Sequence, residues 1–212
     1  MSRLRVNVGL ATVTAALLVA CGGAQTSHAD ASQQAPDVGT LRSPAELGGD
    51  FQWRQQVTAE WPNGTRGFDA VLSKEGNTLL LIGLGPMDTP GFILRLNEEG
   101  LSVENHTGNP IPFDPKFILL DVQRAFYPWF DAPFATGERS TTTEGDIVTE
   151  TWSNGTLRRR TFVRASGNPK GSLDVIYSGW SPPNRAPRRV VLRNGWFGYT
   201  LTIETVEQTD VP

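Results

Sequence analysis

Cysteine is almost absent from this 212-residue chain: there is one, Cys21, so no intrachain disulfide can form. Histidine is nearly as scarce, with two residues. That supply argues against the His/Cys ligand sets that hold zinc. Basic charge is also short. The formal charge is −3, and removing residues 1–20, which carry Arg3 and Arg5 and no acid, takes it to −5. A chain of that sign lacks the basic footprint of a nucleic-acid binder. Chemical signatures are missing too. There is no Gly-x-Ser-x-Gly elbow and no phosphate-cradling glycine loop. Gly83-Leu84-Gly85 ends a strand instead of opening a helix. Asp69, Asp121, Asp131 and Asp174 follow no pattern and read as solvated, and His106 reads as a surface residue at a strand end. The expectation is a protein without catalytic residues, metal or cofactor.

What is present starts with an export signal. Met1 to Arg5 is positive, and Val6 to Ala20 is uncharged and too short for a membrane span of about 20 residues. Leu18-Val19-Ala20-Cys21-Gly22 then resembles the lipobox of bacterial lipoproteins. The resemblance implies diacylglycerol on Cys21, cleavage before it and acylation of the new amino terminus. Each buried methylene contributes about 0.8 kcal/mol, so two or three acyl chains, palmitate-like in length, hold a protein almost permanently. No aspartate follows Cys21. By the rule of that family this directs the protein to the outer membrane, on its periplasmic face. A plain secretory signal with a stray cysteine is the alternative.

Residues 21–49 are rich in Ala, Ser, Gln and Gly and poor in branched apolar side chains. Such a stretch does not offset its own ordering entropy and reads as a flexible tether. Within it, Ser43-Pro44-Ala45-Glu46 predicts one helical turn, with Ser43 capping. Residues 50–208 remain, about the size of one core.

That domain alternates. Phe51, Trp53, Val57, Ala59 and Trp61 share one parity with Gln55, as in a half-buried antiparallel strand. Turn residues at Asn63-Gly64, Gly76-Asn77, Asn154-Gly155 and Asn194-Gly195 separate further strands. The count is about ten strands, the last running from Trp196 to Val206. Between the fifth and sixth, Asp114-Pro115 opens an amphipathic helix, Pro115–Phe126. Ile118, Leu119, Val122, Ala125 and Phe126 form its apolar stripe, with Lys116, Asp121, Gln123 and Arg124 largely off it. An aromatic segment, Tyr127 to Phe134, is broken by two prolines, and 131–145 is long for a loop, so it is functional or conceals an element. In Arg158-Arg159-Arg160, alternation sends Arg159 to the face opposite its neighbours. One arginine then points inward, toward a lipid headgroup or a backbone group of the helix; the plainer reading is a surface strand.

The order of these elements resembles the LolA/LolB fold, an unclosed antiparallel barrel with a helical lid over an apolar cavity. The stretches Phe51–Trp61, Phe68–Leu72, Gly83-Leu84-Gly85-Pro86 and Gly198–Glu204, with the lipobox, are similar to an uncharacterised family of proteobacterial outer-membrane lipoproteins. The expected fold class is therefore mainly β: a half-barrel of about ten antiparallel strands with one amphipathic lid helix. The resemblance implies a lipid-anchored protein that holds an acyl chain or lipidated ligand, with a periplasmic LolA-like carrier as a further partner. Trp53, Val57, Phe68, Leu72, Ile118, Val122, Phe197, Tyr199 and Leu201 are the expected lining. In LolB a loop after the third strand touches the membrane; the matching stretch here is 85–91, with Leu84 and Met87 as its apolar candidates. Alternatives stay open. The aromatic parity also fits a filled core, the domain also fits a cell-envelope module that contacts other proteins, and a lipid hydrolase is the third reading.

Overall fold

Period-two alternation accounts for ten antiparallel strands, and an eleventh joins them in one sheet. In a computed structural model, residues 39–108, 111, 114–180 and 186–210 are described, and they belong to one compact unit. The signal, Cys21 and the tether up to residue 38 lie outside the described residues. The strands are β1 (Phe51–Trp61), β2 (Gly64–Glu75), β3 (Thr78–Leu84), β4 (Pro90–Asn97) and β5 (Gly100–Asn105). After the helix α1 (Pro115–Phe126) come β6 (Gly137–Thr143), β7 (Asp146–Ser153), β8 (Thr156–Arg164), β9 (Ser172–Trp180), β10 (Arg189–Asn194) and β11 (Tyr199–Asp210). Their order is β5-β4-β3-β2-β1-β11-β10-β9-β8-β7-β6, so the sheet is open, with β5 and β6 at its edges. The fold is mainly β with one helix, and its strands number one more than the alternation predicts.

The extra strand is β6, inside the stretch 131–145. Its residues, Gly-Glu-Arg-Ser-Thr-Thr-Thr, carry no apolar side chain for a periodicity to find. It forms by backbone pairing with β7 through a two-residue turn, Glu144-Gly145, in which both φ angles are positive (52° and 79°).

Two turns differ from expectation. At the first hairpin Trp61 pairs with Gly64, so Pro62 and Asn63 form the loop, and neither takes a positive φ. Proline fixes φ near −65° at the first loop position, which sets the turn type. At the last hairpin Asn194 pairs with Tyr199 around a four-residue loop. The Asn194 side chain accepts the backbone N–H groups of Trp196 and Phe197, each at 3.1 Å, and Gly198 supplies the positive φ of 73°. The final strand therefore begins at Tyr199, after Trp196.

One face of the sheet carries the core: Trp53 and Val57 on β1, Leu72 on β2, Leu79 and Leu81 on β3, Phe162 on β8, Val175 and Tyr177 on β9. Within β3, Gly83 faces Phe92 so closely that a Cβ there would lie 2.1 Å from the ring. The helix starts as expected, with the Asp114 carboxylate accepting from Lys116 N at 2.8 Å. Its polar face departs from expectation. Asp121, Gln123 and Arg124 are buried along with Leu119, Ala125 and Phe126.

Part of the reason is the chain before β1. Residues 39–49, the end of the stretch read as tether, pack on the domain. Leu41 and Leu47 join the core, and the 3-10 turn Pro44–Leu47 forms with the Ser43 and Glu46 capping box in place. This segment covers Gln123 and one side of Arg124, while Trp196 covers the other side of Arg124 and Tyr199 covers Asp121.

Candidate functional site

Sequence-distant segments converge on a cavity of about 490 Å³. Phe51 and Trp53 come from β1, Trp152 and Trp180 from β7 and β9, and Phe126, Tyr127, Trp129 and Phe130 from the helix end and the segment after it. Aromatic residues thus supply eight of its twenty lining positions. Tyr127-Pro128 ends the helix: Tyr127 is extended (φ −71°, ψ 150°), the conformation favoured before proline. The chain that follows then runs along the cavity instead of continuing upward. Rings brace one another, with Trp53 stacked on Phe51 at 3.9 Å and edge-on to Phe126 at 5.3 Å, and Phe126 edge-on to Trp180 at 6.2 Å.

A buried ion pair forms the floor. Glu150 and Arg160 are cross-strand partners on β7 and β8. Arg160 Nε and Nη2 donate to Glu150 Oε1 at 3.0 and 2.7 Å. The other carboxylate oxygen accepts from Arg139 Nη2 and Trp152 Nε1, both at 2.9 Å. Arg160 Nη1 donates to the carbonyls of Arg124 and Ala125 at 2.8 and 3.2 Å, and the Tyr177 hydroxyl donates to Ala125 O at 2.7 Å. These carbonyls are the orphan acceptors of the helix C-terminus, where a cation is favoured. The floor is therefore internally satisfied and offers the cavity ring faces and edges instead of free charge.

Of the three arginines, Arg160 is the inward one. A shift of register between Leu157 and Arg159 places both Leu157 and Arg160 on the core face and leaves Arg158 and Arg159 exposed. Strict alternation misses this, although its expectation of a contact with a helix backbone group describes what Arg160 makes.

A second buried network ties the helix to β11. The Tyr199 hydroxyl donates to Asp121 Oδ2, Arg124 Nη1 lies 3.3 Å from Asp121 Oδ1, and Asn194 Nδ2 donates to the Tyr199 oxygen at 2.9 Å. Asp121 is thus no solvated surface acid. Burial pushes its carboxyl up, with Arg124 and Tyr199 pulling the other way. Burial likewise raises Tyr177 and Tyr199, and pushes Tyr127 up to about 12, so all three phenols stay protonated in neutral water.

Comparison with known families gives a direct match: residues 52–207 fit the family described as a protein of unknown function, DUF3261. The chain belongs to DUF3261. This DUF3261 domain is also similar to solved structures. One is a LolA superfamily protein from Nitrosomonas europaea, at 12% identity and a TM-score of 0.46, covering 77% of this chain and 88% of that one. Another is a domain from Vibrio parahaemolyticus named for outer-membrane lipoprotein sorting, at 12% identity and 0.41, covering 76% and 85%. A third is a DUF1329 family protein from Desulfovibrio piger, at 11% identity and 0.35, covering 79% and 88%. No curated protein matches.

Of the nine residues expected to line a cavity in this DUF3261 chain, Trp53 does so. Leu72 is fully buried between its strand neighbours, and Val57 pairs with Phe68 and Ile203. Phe68, Ile118, Val122, Phe197, Tyr199 and Leu201 are half-buried against the core and outside the cavity wall. Leu84 is half-buried opposite Pro90. Met87 is 93% exposed, at φ 58° and ψ 33°. The residues missed are Phe51, Phe126, Trp152, Trp180 and those after the helix. The last were visible as the aromatic, proline-broken run 127–134, but nothing local says which strands it meets. Among the described residues no His, Cys, Asp or Glu group is arranged to hold a metal ion, and no helix is long and apolar enough to cross a membrane.

Proposed function

We propose that this DUF3261 domain binds an apolar, acyl-bearing ligand by partition, without chemistry, and is held to the outer membrane by lipid on Cys21. The observation that carries the reading is the cavity: about 490 Å³, walled by eight aromatic side chains, with its ion pair already satisfied. Its volume falls in the roughly 300–1,000 Å³ range of small-molecule sites. Binding draws on the apolar area removed from water, about 25 cal/mol per Å². Met87 serves as the point of contact with the bilayer or with a lipoprotein carrier, being held out almost fully in water by the loop 85–91.

A fluorescent fatty acid titrated into the full chain carrying Cys21→Ser, free of its own acyl groups, checks the ligand reading. Saturable binding that palmitate displaces is expected; a linear, undisplaced signal rejects it. For the anchor, the unmodified chain takes up an alkyne fatty acid in cells and pellets with membranes, and Cys21→Ser does neither. Labelling that survives the substitution would remove Cys21 from the account.

A further inference from the structure

The segment 39–50 crosses from one flank of the open sheet to the other. At its start Gly39 and Thr40 lie beside Arg124 of α1 and beside Glu144 and Asp146 at the β6–β7 turn. In its middle, Arg42 N donates to Gln123 Oε1 and Gln123 Nε2 donates to Arg42 O, both at 2.9 Å. One side-chain amide thus imitates a strand partner. The Arg42 guanidinium donates to Pro128 O at 2.9 Å and lies 4.7 Å over the Trp129 ring. Further on, Ser43 Oγ and Ala45 N both donate to Asn77 Oδ1 at the β2–β3 turn, at 3.1 and 3.0 Å. Residues 46–50 then form one wall of the cavity.

This wall is held differently from the others. The strand walls are fixed by ladders, whereas this segment is held by side-chain bonds to Arg42, Ser43 and Ala45 and by the packing of Leu41, Pro44 and Leu47, with no ladder. The segment is also bounded by glycines in conformations other residues avoid, Gly39 at φ 108° and Gly48 at φ 90° and ψ −145°. Around Gly48 and Gly49 nothing lies within 4 Å of an added Cβ, so that end has room to swing.

We infer that residues 39–49 are a strap that opens and closes the cavity, latched by Arg42 on Gln123 and Pro128 and hinged at Gly48-Gly49. The inference rests on the ligand-binding reading above. It makes the segment that leads toward the membrane anchor the moving wall of the site, in place of the helix, whose last turn is tied down by Arg160 and Tyr177.

The test uses the full chain carrying Cys21→Ser, with and without the pair Ser43→Cys and Asn77→Cys. Amide exchange should be about tenfold or more faster in 39–49 than in β1 and β11, and faster again in Arg42→Ala with the strands unchanged. Exchange no faster than that of the strands overturns the strap without reference to any ligand. With N-phenyl-1-naphthylamine as probe, the oxidised cysteine pair should slow uptake about tenfold or more, and reductant should restore it. Equal uptake rates in the two redox states overturn the gating alone. Absence of probe binding in both states overturns the cavity reading and the gating with it.

Discussion

Arg160 and Glu150 meet across β7 and β8 with both side chains 2% exposed, and Arg160 reaches on to the last carbonyls of the helix. The pair therefore fixes the position of α1 as well as its own strands. Removing Glu150 leaves the buried Arg160 charge unmatched. Glu150→Ala should cost about 3–5 kcal/mol in urea unfolding, and the double change Glu150→Leu with Arg160→Met should cost clearly less than either single change. A double variant at least as unstable as the singles would mean that the helix contact, not the charge pair, dominates.

Ala132 is an exposed residue on the cavity lining, so a large side chain there enters the space without displacing packed atoms. Ala132→Trp should weaken fatty-acid binding about tenfold or more while moving stability by no more than about 0.5 kcal/mol. Unchanged affinity at unchanged stability would place the ligand elsewhere.

Met87 adopts a left-handed conformation that costs a residue with a Cβ about 1–2 kcal/mol. Met87→Gly should stabilise the domain by about 0.5–1 kcal/mol after the extra chain entropy of glycine is subtracted. Met87→Asp should leave the fold alone and lower recovery of the Cys21→Ser chain on lipid vesicles. Full vesicle recovery would show that the loop does not touch lipid.

Gly83 has no room for a methyl group because the Phe92 ring occupies it. Gly83→Ala should cost about 1–3 kcal/mol. Adding Phe92→Leu should recover part of that loss, and two penalties that simply add would contradict the close approach.

Asp174, on the outer face of β9, accepts from Arg159 Nε at 3.0 Å, Thr161 Oγ1 at 2.8 Å and Ser172 Oγ at 3.0 Å. Partial burial raises its carboxyl, but these donors outweigh it and hold the group below the ordinary value of 3.8. The folded state therefore binds this proton less readily than the unfolded state. The stability it confers is present above pH 3.8 and is lost as pH falls through the lowered value. Asp174→Asn should be less stable than the parent at neutral pH, with the gap narrowing below pH 3.8. A deficit that stays constant in urea midpoints down to about pH 2 would rule out the titration.

Alternation and turn residues made ten of the strands legible, because a half-buried strand must place apolar side chains every second residue. Asp114-Pro115 likewise marked the start of the helix. β6 stayed hidden because an edge strand of Ser and Thr buries too little to leave a periodic trace. Asp121, Gln123 and Arg124 look like a solvated helix face until Tyr199 is known to meet the first and residues 39–42 the other two. The cavity was the least legible feature. Trp53, Trp129 and Trp180 were each visible as aromatic residues, yet their meeting depends on long-range strand order and on where the chain turns after Tyr127. The register shift beside Leu157, which turns Arg160 inward, leaves no sign in the residue pattern at all.

The pairing of β1 with β11, from Phe51 opposite Asp210 to Glu60 opposite Thr200, has a consequence for assembly. The other strand pairs join neighbours in the chain, so β1 to β5 and β6 to β11 can each zip as successive hairpins while the polypeptide is being made. The seam at the centre of the sheet joins positions about 150 residues apart and has to wait for β11. Of the described strand pairings it spans the longest loop, and closure of a long loop is the kind of contact that slows folding. Until then the far edge of β1, with Trp53 and Val57, has no partner strand. That interval is when the newly made chain is most open to pairing with another copy of itself.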